Sequence, residues 1–319
     1  MDHATDLPPG MVREASERIR PLARRTPAFS STSVNHVAGL DAHFKCENLQ
    51  RGGAFKIRGA SNLILSLPRE DLRRGLVAFS SGNHAQAVAI VAKHVGSKAT
   101  IVMPIDAPRN KVEATRNHGA EIVTYDRFRE SREPIAQQIL KDTGATLVPP
   151  FDHALVMAGQ GTAALELLES VPQLDALVVP VGGGGLLAGC ATIAKALHPD
   201  IRIFGAEPER ANDTYLSFQA GSRVEIPLPD TIADGLRSQQ PGKLTFPIMQ
   251  RLVEQILLVT EDEIRETVKF LLMRMKLLVD ASGAVAAAAV IHRKLPQGIR
   301  SAGVILSGGN VDFEELARY

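Results

Sequence analysis

Short β-branched runs alternate along this chain with stretches in which apolar residues recur every three or four positions. "GLVAFSS" (75–81) reads as a buried strand, and "HAQAVAIVAKHVG" (84–96) as a helix stopped by Gly96. The rhythm continues with a strand over 98–104, a helix over 108–120 ending at Gly119, a strand over 121–126, a helix over 131–144 and a strand over 145–151. It returns with a strand running from 174 into the glycines at 182–185, a helix over 186–200 and a strand over 201–209. A polar, proline-interrupted stretch follows, with loops predicted around "TIADGLR" (231–237). Helices over 260–279 and 283–295 and a strand into a glycine turn over 301–310 complete the pattern. Thr260 and Glu263 have the spacing of a capping box, with acids in the first turn. This is βαβ organisation. It predicts an α/β fold with mostly parallel open sheets, covered on both faces by helices, and a site where the carboxyl ends of the strands meet.

Composition narrows the picture. At 319 residues and 45% hydrophobic, the chain can bury a large core, and two sets of βα units imply two α/β domains. A formal net charge of +1 gives no reason to expect nucleic acid or an anionic membrane as partner. No apolar run reaches the length of a membrane span, and the first residues contain no apolar core of a signal peptide. Two cysteines, Cys46 and Cys190, are too few for a disulfide framework or a zinc cluster. Reduced, buried thiols in a cytoplasmic protein are expected.

Candidate chemistry sits at the turns. Gly182, Gly183, Gly184 and Gly185 lie between a strand and a helix, where backbone N–H groups and the helix N-terminus can cradle a phosphate. Two other readings apply to this loop: a tight turn without ligand, and a loose nicotinamide fingerprint formed by Gly183, Gly185 and Gly189 with Glu207 downstream. Ser80, Ser81, Asn83 and His84 cluster at a second strand-to-helix turn, suited to a carboxylate or phenolate oxygen, although Asn83 could act simply as a helix cap. Ser307 opens a third turn, "SGGN" (307–310). Lys56 lies in "CENLQRGGAFKIRGA" (46–60), surrounded by glycines and with Arg51 and Arg58 nearby. A snorkelling surface lysine is the plain alternative. A reactive amine, a phosphate cradle, an asparagine and a small hydroxyl together are equipment for pyridoxal phosphate, and Arg58 is expected to help lower the lysine's pKa.

"NLQRGGAFKIRGA", "SSGNHAQAVA", "AGQGT" (158–162), "VPVGGGGLLAG", "TIADGL" and "LSGGN" run collinearly from about residue 10 to the C-terminus. They closely resemble the serine/threonine dehydratase and serine racemase family, threo-3-hydroxyaspartate dehydratases included: pyridoxal-phosphate enzymes of fold type II, with the tryptophan-synthase-β fold. The resemblance implies a large cofactor-binding domain of 1–75 plus 152–319 and a small mobile domain of 76–151. It makes Lys56 the Schiff-base lysine and packs Phe55 against the ring. Asn83 would bind the cofactor's 3′-oxygen, Gly182 to Gly185 with the Leu186 backbone the phosphate, and Ser307 the pyridine nitrogen. Ser80, Ser81, Asn83 and His84 would line the substrate carboxylate site, with Ser81 the acid/base opposite the lysine in racemases. Arg132 matches an arginine that approaches the substrate in racemase relatives; a solvated basic helix start is the alternative.

The resemblance also implies a Mg²⁺ site, with Ca²⁺ or Mn²⁺ as alternatives, formed by Glu207, the Ala211 carbonyl and Asp213. One departure stands out: Asp280 and Ala281 replace a Glu–Pro pair frequent in relatives, so the ring's edge is expected to be contacted differently. The implied activity is β-elimination of L-threonine, L-serine or L-threo-3-hydroxyaspartate to a 2-oxo acid and ammonia. Serine or aspartate-type racemisation is the alternative, and a nicotinamide oxidoreductase a distant one. A homodimer or homotetramer is expected. With nine residues after Asn310, no C-terminal regulatory domain is expected.

Overall fold

The computed structural model describes residues 6–80, 82–107 and 109–319, Asn110 by its backbone only. Among the described residues ten strands form two sheets: β1 (Ala28–Ser30), β2 (Asp41–Cys46), β3 (Leu76–Phe79), β4 (Ala99–Pro104), β5 (Glu121–Tyr125), β6 (Thr146–Leu147), β7 (Ala176–Pro180), β8 (Arg202–Pro208), β9 (Gln255–Val259) and β10 (Ser301–Leu306). The larger sheet has the order β1-β2-β10-β7-β8-β9 and the smaller β5-β4-β3-β6. Every pairing is parallel except β1 against β2. The smaller sheet is thus a sequence insertion between β2 and β7.

Both faces of the large sheet are covered, and its strands show why they read as continuous apolar runs. Side chains alternate along a strand. Val178, Phe204, Ala206, Val304 and Leu306 enter a core shared with the helix Ala281–Ile291. Leu177, Val179, Ile203 and Ile305 enter the opposite core, with the helices Ala154–Ser170 and Gly185–Leu197. In the smaller sheet Leu76, Ala78, Ile101 and Met103 pack toward the helices Lys56–Ile64 and Asn83–Val95. Val77, Val102 and Tyr125 meet Ala136, on the helix Arg132–Thr143, on the other face.

Three sequence expectations need correction. The strand expected over 145–151 pairs only at Thr146 and Leu147, because the chain must leave the sheet to return to the larger one. The helix expected over 260–279 has its capping box, but regular α-helix ends at Phe270. A wider π-type turn follows (Leu271–Met275), and Lys276 at φ +59° ends it. Asn83 is the first residue of its helix, whose cap is Gly82; it is not a cap.

Glycines in the helix interiors let three helices approach one another. A Cβ at Gly189 would lie 2.1 Å from the Met157 carbonyl, and one at Gly161 2.6 Å from the Gly189 carbonyl. The same holds at Gly159, 2.5 Å from the Arg58 carbonyl. The "AGQGT" motif is therefore a helix-packing seam that also presents Gln160. Among the described residues no helix is long and apolar enough to cross a membrane.

Candidate active site

Lys56 begins a helix directly after a turn in which Gly52 and Gly53 adopt φ of +72° and +69°. A side chain at Gly53 would also collide with Asn310, 2.2 Å from its Oδ1. These glycines therefore serve the turn and the close approach of Asn310. The Lys56 Nζ donates to the Pro150 carbonyl at 2.8 Å and sits 5.0 Å from the Phe55 ring centre. Part of the side chain is accessible, but the amine lies deep enough that desolvation lowers its pKa to about 8.

Arg58 has no part in that shift, contrary to the sequence expectation. Its guanidinium turns away and is fully buried. It donates to Glu47 Oε2 (2.7 Å) and Oε1 (2.8 Å), to Glu166 Oε1 (2.8 Å) and Oε2 (2.7 Å), and to Thr162 Oγ1 (2.9 Å). Lys45 completes the cluster, 2.5 Å from Glu166.

The 307–310 turn joins the Lys56 segment to Asn83. The Phe55 N–H donates to the Ser307 carbonyl (3.0 Å) and the Gly309 N–H to the Gly53 carbonyl (2.9 Å). The Asn310 amide donates to the Gly52 carbonyl (2.7 Å) and to Asn83 Oδ1 (2.9 Å). Ser307 is buried, and Ser80 Oγ accepts from the Gly82 N–H at 3.1 Å. His84 Nε2 lies 2.8 Å from the Val148 carbonyl; a carbonyl only accepts, so this nitrogen carries the proton. Burial, reinforced by the Lys56 charge, pushes the His84 pKa down to about 3. His84 is thus neutral, with Nδ1 buried and without a hydrogen-bond partner.

The tetraglycine is reached through Pro150 and Gln160. Gly184 takes φ +90° and starts the helix Gly185–Leu197. The Gly183 carbonyl is held by the Gly242 N–H (3.1 Å) and Thr245 Oγ1 (2.7 Å). A side chain at Gly183 would lie 2.4 Å from the Phe151 ring, and one at Gly185 2.7 Å from Gln160 Oε1. Gln160 Nε2 donates to the Pro150 carbonyl at 3.3 Å, the same oxygen that accepts from Lys56. Its Oε1 is buried and unpartnered. The first-turn N–H groups of this helix, Leu186 included, have no intrahelical acceptor, so an anion is favoured there. Sequence reasoning missed Gln160 as a site residue; its signal was a lone amide between two glycines on an apolar helix.

Other candidates fall elsewhere. Ser81 lies outside the described residues. The Arg132 guanidinium stacks on Phe79, 4.7 Å from the ring centre, and is paired with Glu133. Asp280 caps the helix Ala281–Ile291 through the Gly283 N–H (2.7 Å) and accepts from the Asn310 N–H (3.1 Å). It holds the 307–310 turn from behind, so the departure at this position has a structural use.

Glu207 and Asp213 are both fully buried. Glu207 accepts from the Thr214 (3.1 Å) and Tyr215 (2.9 Å) N–H groups, while neither oxygen of Asp213 has a hydrogen-bond partner. Desolvation pushes the Asp213 pKa up to about 8 and raises that of Glu207, with the neighbouring Asp213 charge as a second cause. Among the described residues no group of three His, Cys, Asp or Glu side chains is assembled for a metal. The donor set at this place is two carboxylates and a buried backbone.

Two mostly parallel sheets, with a deep amine near a glycine anion cradle, define a fold type II pyridoxal-phosphate enzyme. The family model described as "Pyridoxal-phosphate dependent enzyme" matches residues 19–308, and the chain belongs to that family. It is 46% identical over 308 residues to a serine racemase of Schizosaccharomyces pombe, covering 97% of this chain and 95% of the relative. It is 48% identical over 308 residues to an L-threo-3-hydroxyaspartate ammonia-lyase of Saccharomyces cerevisiae, covering 97% and 94%. Among solved structures, maize serine racemase superposes with a TM-score of 0.94 at 43% identity, covering 99% of this chain and 97% of that one.

Proposed function

We propose that this chain is an ammonia-lyase that eliminates water from a β-hydroxy amino acid. The candidate substrates are L-threonine, L-serine and L-threo-3-hydroxyaspartate. The observation that carries the reading is the Lys56 amine, near pKa 8, which shares the Pro150 carbonyl with Gln160, a side chain packed close against Gly185 of the glycine cradle. These residues fit pyridoxal phosphate. The cradle excludes side chains, the first-turn N–H groups face an anion, and the buried Gln160 Oε1 lacks a partner. When bound, the cofactor supplies an electron sink that acidifies the substrate Cα–H.

In this reading Gly182 to Gly185 and the Leu186 N–H hold the phosphate, Phe55 flanks the ring, Asn83 binds the 3′-oxygen and Ser307 faces the ring nitrogen. Ser80 and Asn83 orient the substrate carboxylate, and His84 lines the site. With its one ring proton given to Val148, the neutral His84 ring has no donor left for a carboxylate, so this residue would contribute its backbone N–H. Lys56 Nζ takes the Cα proton, and the β-hydroxyl leaves as water with a proton. The released enamine adds water and loses ammonia to give the 2-oxo acid. A hydroxyl rather than a carboxylate opposite the ring nitrogen leaves that nitrogen largely unprotonated, which favours elimination over transamination.

Racemisation is the second reading, supported by the similarity to serine racemases. It needs a proton donor opposite Lys56, and Ser81 is the candidate. Glu207, the Ala211 carbonyl and Asp213 are proposed to hold a divalent cation, supported by the unpartnered, buried Asp213 oxygens. A cytoplasmic homodimer or homotetramer, with 76–151 as a small mobile domain, completes the proposal. The test is a panel of β-hydroxy amino acids, both enantiomers, assayed for 2-oxo acid and for chirality with and without Mg²⁺. Failure of every member to yield 2-oxo acid would overturn the lyase reading.

A further inference from the structure

Three sides of the proposed site are tied together by short bonds. The Lys56 segment bonds to the 307–310 turn, that turn to Asn83, and Lys56 shares the Pro150 carbonyl with Gln160, which packs close against Gly185 of the phosphate loop. The remaining side lies between Gly82 and the 234–238 turn. Near it, at Asp234, a cavity of about 420 Å³ opens, with Asp106 and Arg127, just beyond β4 and β5, on one wall. Ile232, Asp234, Arg237 and Glu315 line the other.

An ion pair spans this side. Lys111, on the helix Arg109–Asn117 beside the smaller sheet, is buried and paired with Asp234. Its stem runs against Gly82: a side chain there would put its Cβ 2.9 Å from Lys111 Cδ. Asp234 belongs to a turn fixed from below, where Ser282 Oγ accepts from the Gly235 N–H at 2.9 Å. That turn in turn abuts the phosphate loop, since a Cβ at Gly182 would lie 3.4 Å from Leu236 Cα and from Ser238 Oγ. The chain of contact therefore runs from Gly82, just before the helix Asn83–Val95, through Lys111 and Asp234 to the phosphate loop. The carboxylates of Asp234 and Asp280 raise the Lys111 pKa against the effect of burial, so it stays charged.

We infer that Lys111 and Asp234 are positioning residues, a strut that sets the distance between the substrate-carboxylate turn and the cofactor-phosphate loop across the cleft. The inference rests on the functional reading above. Neither residue is placed against a reacting atom. Their effect should appear in substrate capture more than in the chemical step, because a loosened strut lowers the fraction of molecules with both turns in register.

The experiment is a double-mutant cycle on the holoenzyme with Lys111→Met, Asp234→Asn and the pair. Asp234→Asn keeps shape and should fold. Its KM for the amino-acid substrate should rise about tenfold, the scale of a coupled buried pair, while kcat and the visible cofactor band change less than about threefold. The double variant should be no worse than the poorer single variant. Additive effects, or equal losses in kcat with KM unchanged, overturn the strut. A readout independent of substrate is amide hydrogen exchange in the cofactor-loaded protein. Residues 82–87 should exchange about tenfold faster in Asp234→Asn, as expected for a locally loosened turn. Unchanged exchange there overturns the inference even if no substrate is found, whereas a wild-type protein inactive on the whole panel bears only on the lyase reading.

Discussion

Removing the Arg58 guanidinium should destabilise the fold more than any nearby surface change. The cluster of Lys45, Glu47, Arg58 and Glu166 contains two cations and two anions, and Arg58 and Glu47 are completely buried. Arg58→Met leaves it one charge negative. Glu166 keeps Lys45 at 2.5 Å and some exposure to water. Glu47 loses its bidentate partner and retains Thr26 Oγ1, 2.5 Å away, as its nearest donor. An uncompensated buried charge of this kind costs about 3–5 kcal/mol. Arg58→Lys should recover only part, since a single ammonium cannot span both carboxylates. Adding Glu47→Gln to Arg58→Met should recover a large share by removing the orphaned charge.

Urea unfolding at constant m reads these differences. Their pH dependence gives the sign. In the native chain the Arg58 charge and hydrogen bonds outweigh burial and hold the Glu47 pKa below its usual value. That stability is present above the unfolded carboxylate's pKa and is lost as pH falls through the folded one. Without Arg58, burial raises the Glu47 pKa and protonation relieves the variant, so its deficit should narrow toward acid. A loss below about 1 kcal/mol, as for an exposed pair, or a deficit that widens toward acid, would refute the reasoning.

Three further outcomes are expected. Gly189→Ala puts a Cβ 2.1 Å from the Met157 carbonyl and should cost about 1–3 kcal/mol or more by overpacking, read by thermal unfolding against Gly221→Ala as a strained but spatially open control. Capture of pyridoxal phosphate by cofactor-free protein should speed up through pH 8, where the Lys56 amine becomes neutral; a rise only near pH 10 would contradict the desolvated amine. The raised pKa values of Asp213 and Glu207 make the cation-free fold lose stability as pH climbs from the unfolded carboxylate range toward 8. Mg²⁺ should therefore raise Tm more at pH 8 than at pH 5, and Asp213→Asn should remove the difference.

The βαβ rhythm was legible because strands such as Leu76–Phe79 and Ala176–Pro180 are apolar on both faces and the helix after the first ends in a glycine, Gly96. β2, "DAHFKC", was not, because Asp41, His43 and Lys45 look like surface positions; the ion partner that lets Lys45 be buried is 121 residues away. The helix Ala154–Ser170 was hidden by Gly159 and Gly161, which resemble loop punctuation until the facing backbones are seen. Lys56 and the three turns could be named from local composition. Gln160, Lys111 and Asp234 could not, since their meaning lies in what they face across the cleft.

The strand order carries a consequence for synthesis. β10, the last strand among the described residues, lies between β2 and β7, and its end delivers Ser307 and the 307–310 turn to Lys56. A growing chain therefore exposes two unsatisfied strand edges until residue 306 has emerged, and no partial product can assemble the lysine's surroundings. Assembly of the backbone around Lys56 thus waits on completion of the whole sheet. The unfinished chain, long in sequence separation and open at its centre, is the species most in need of protection from aggregation.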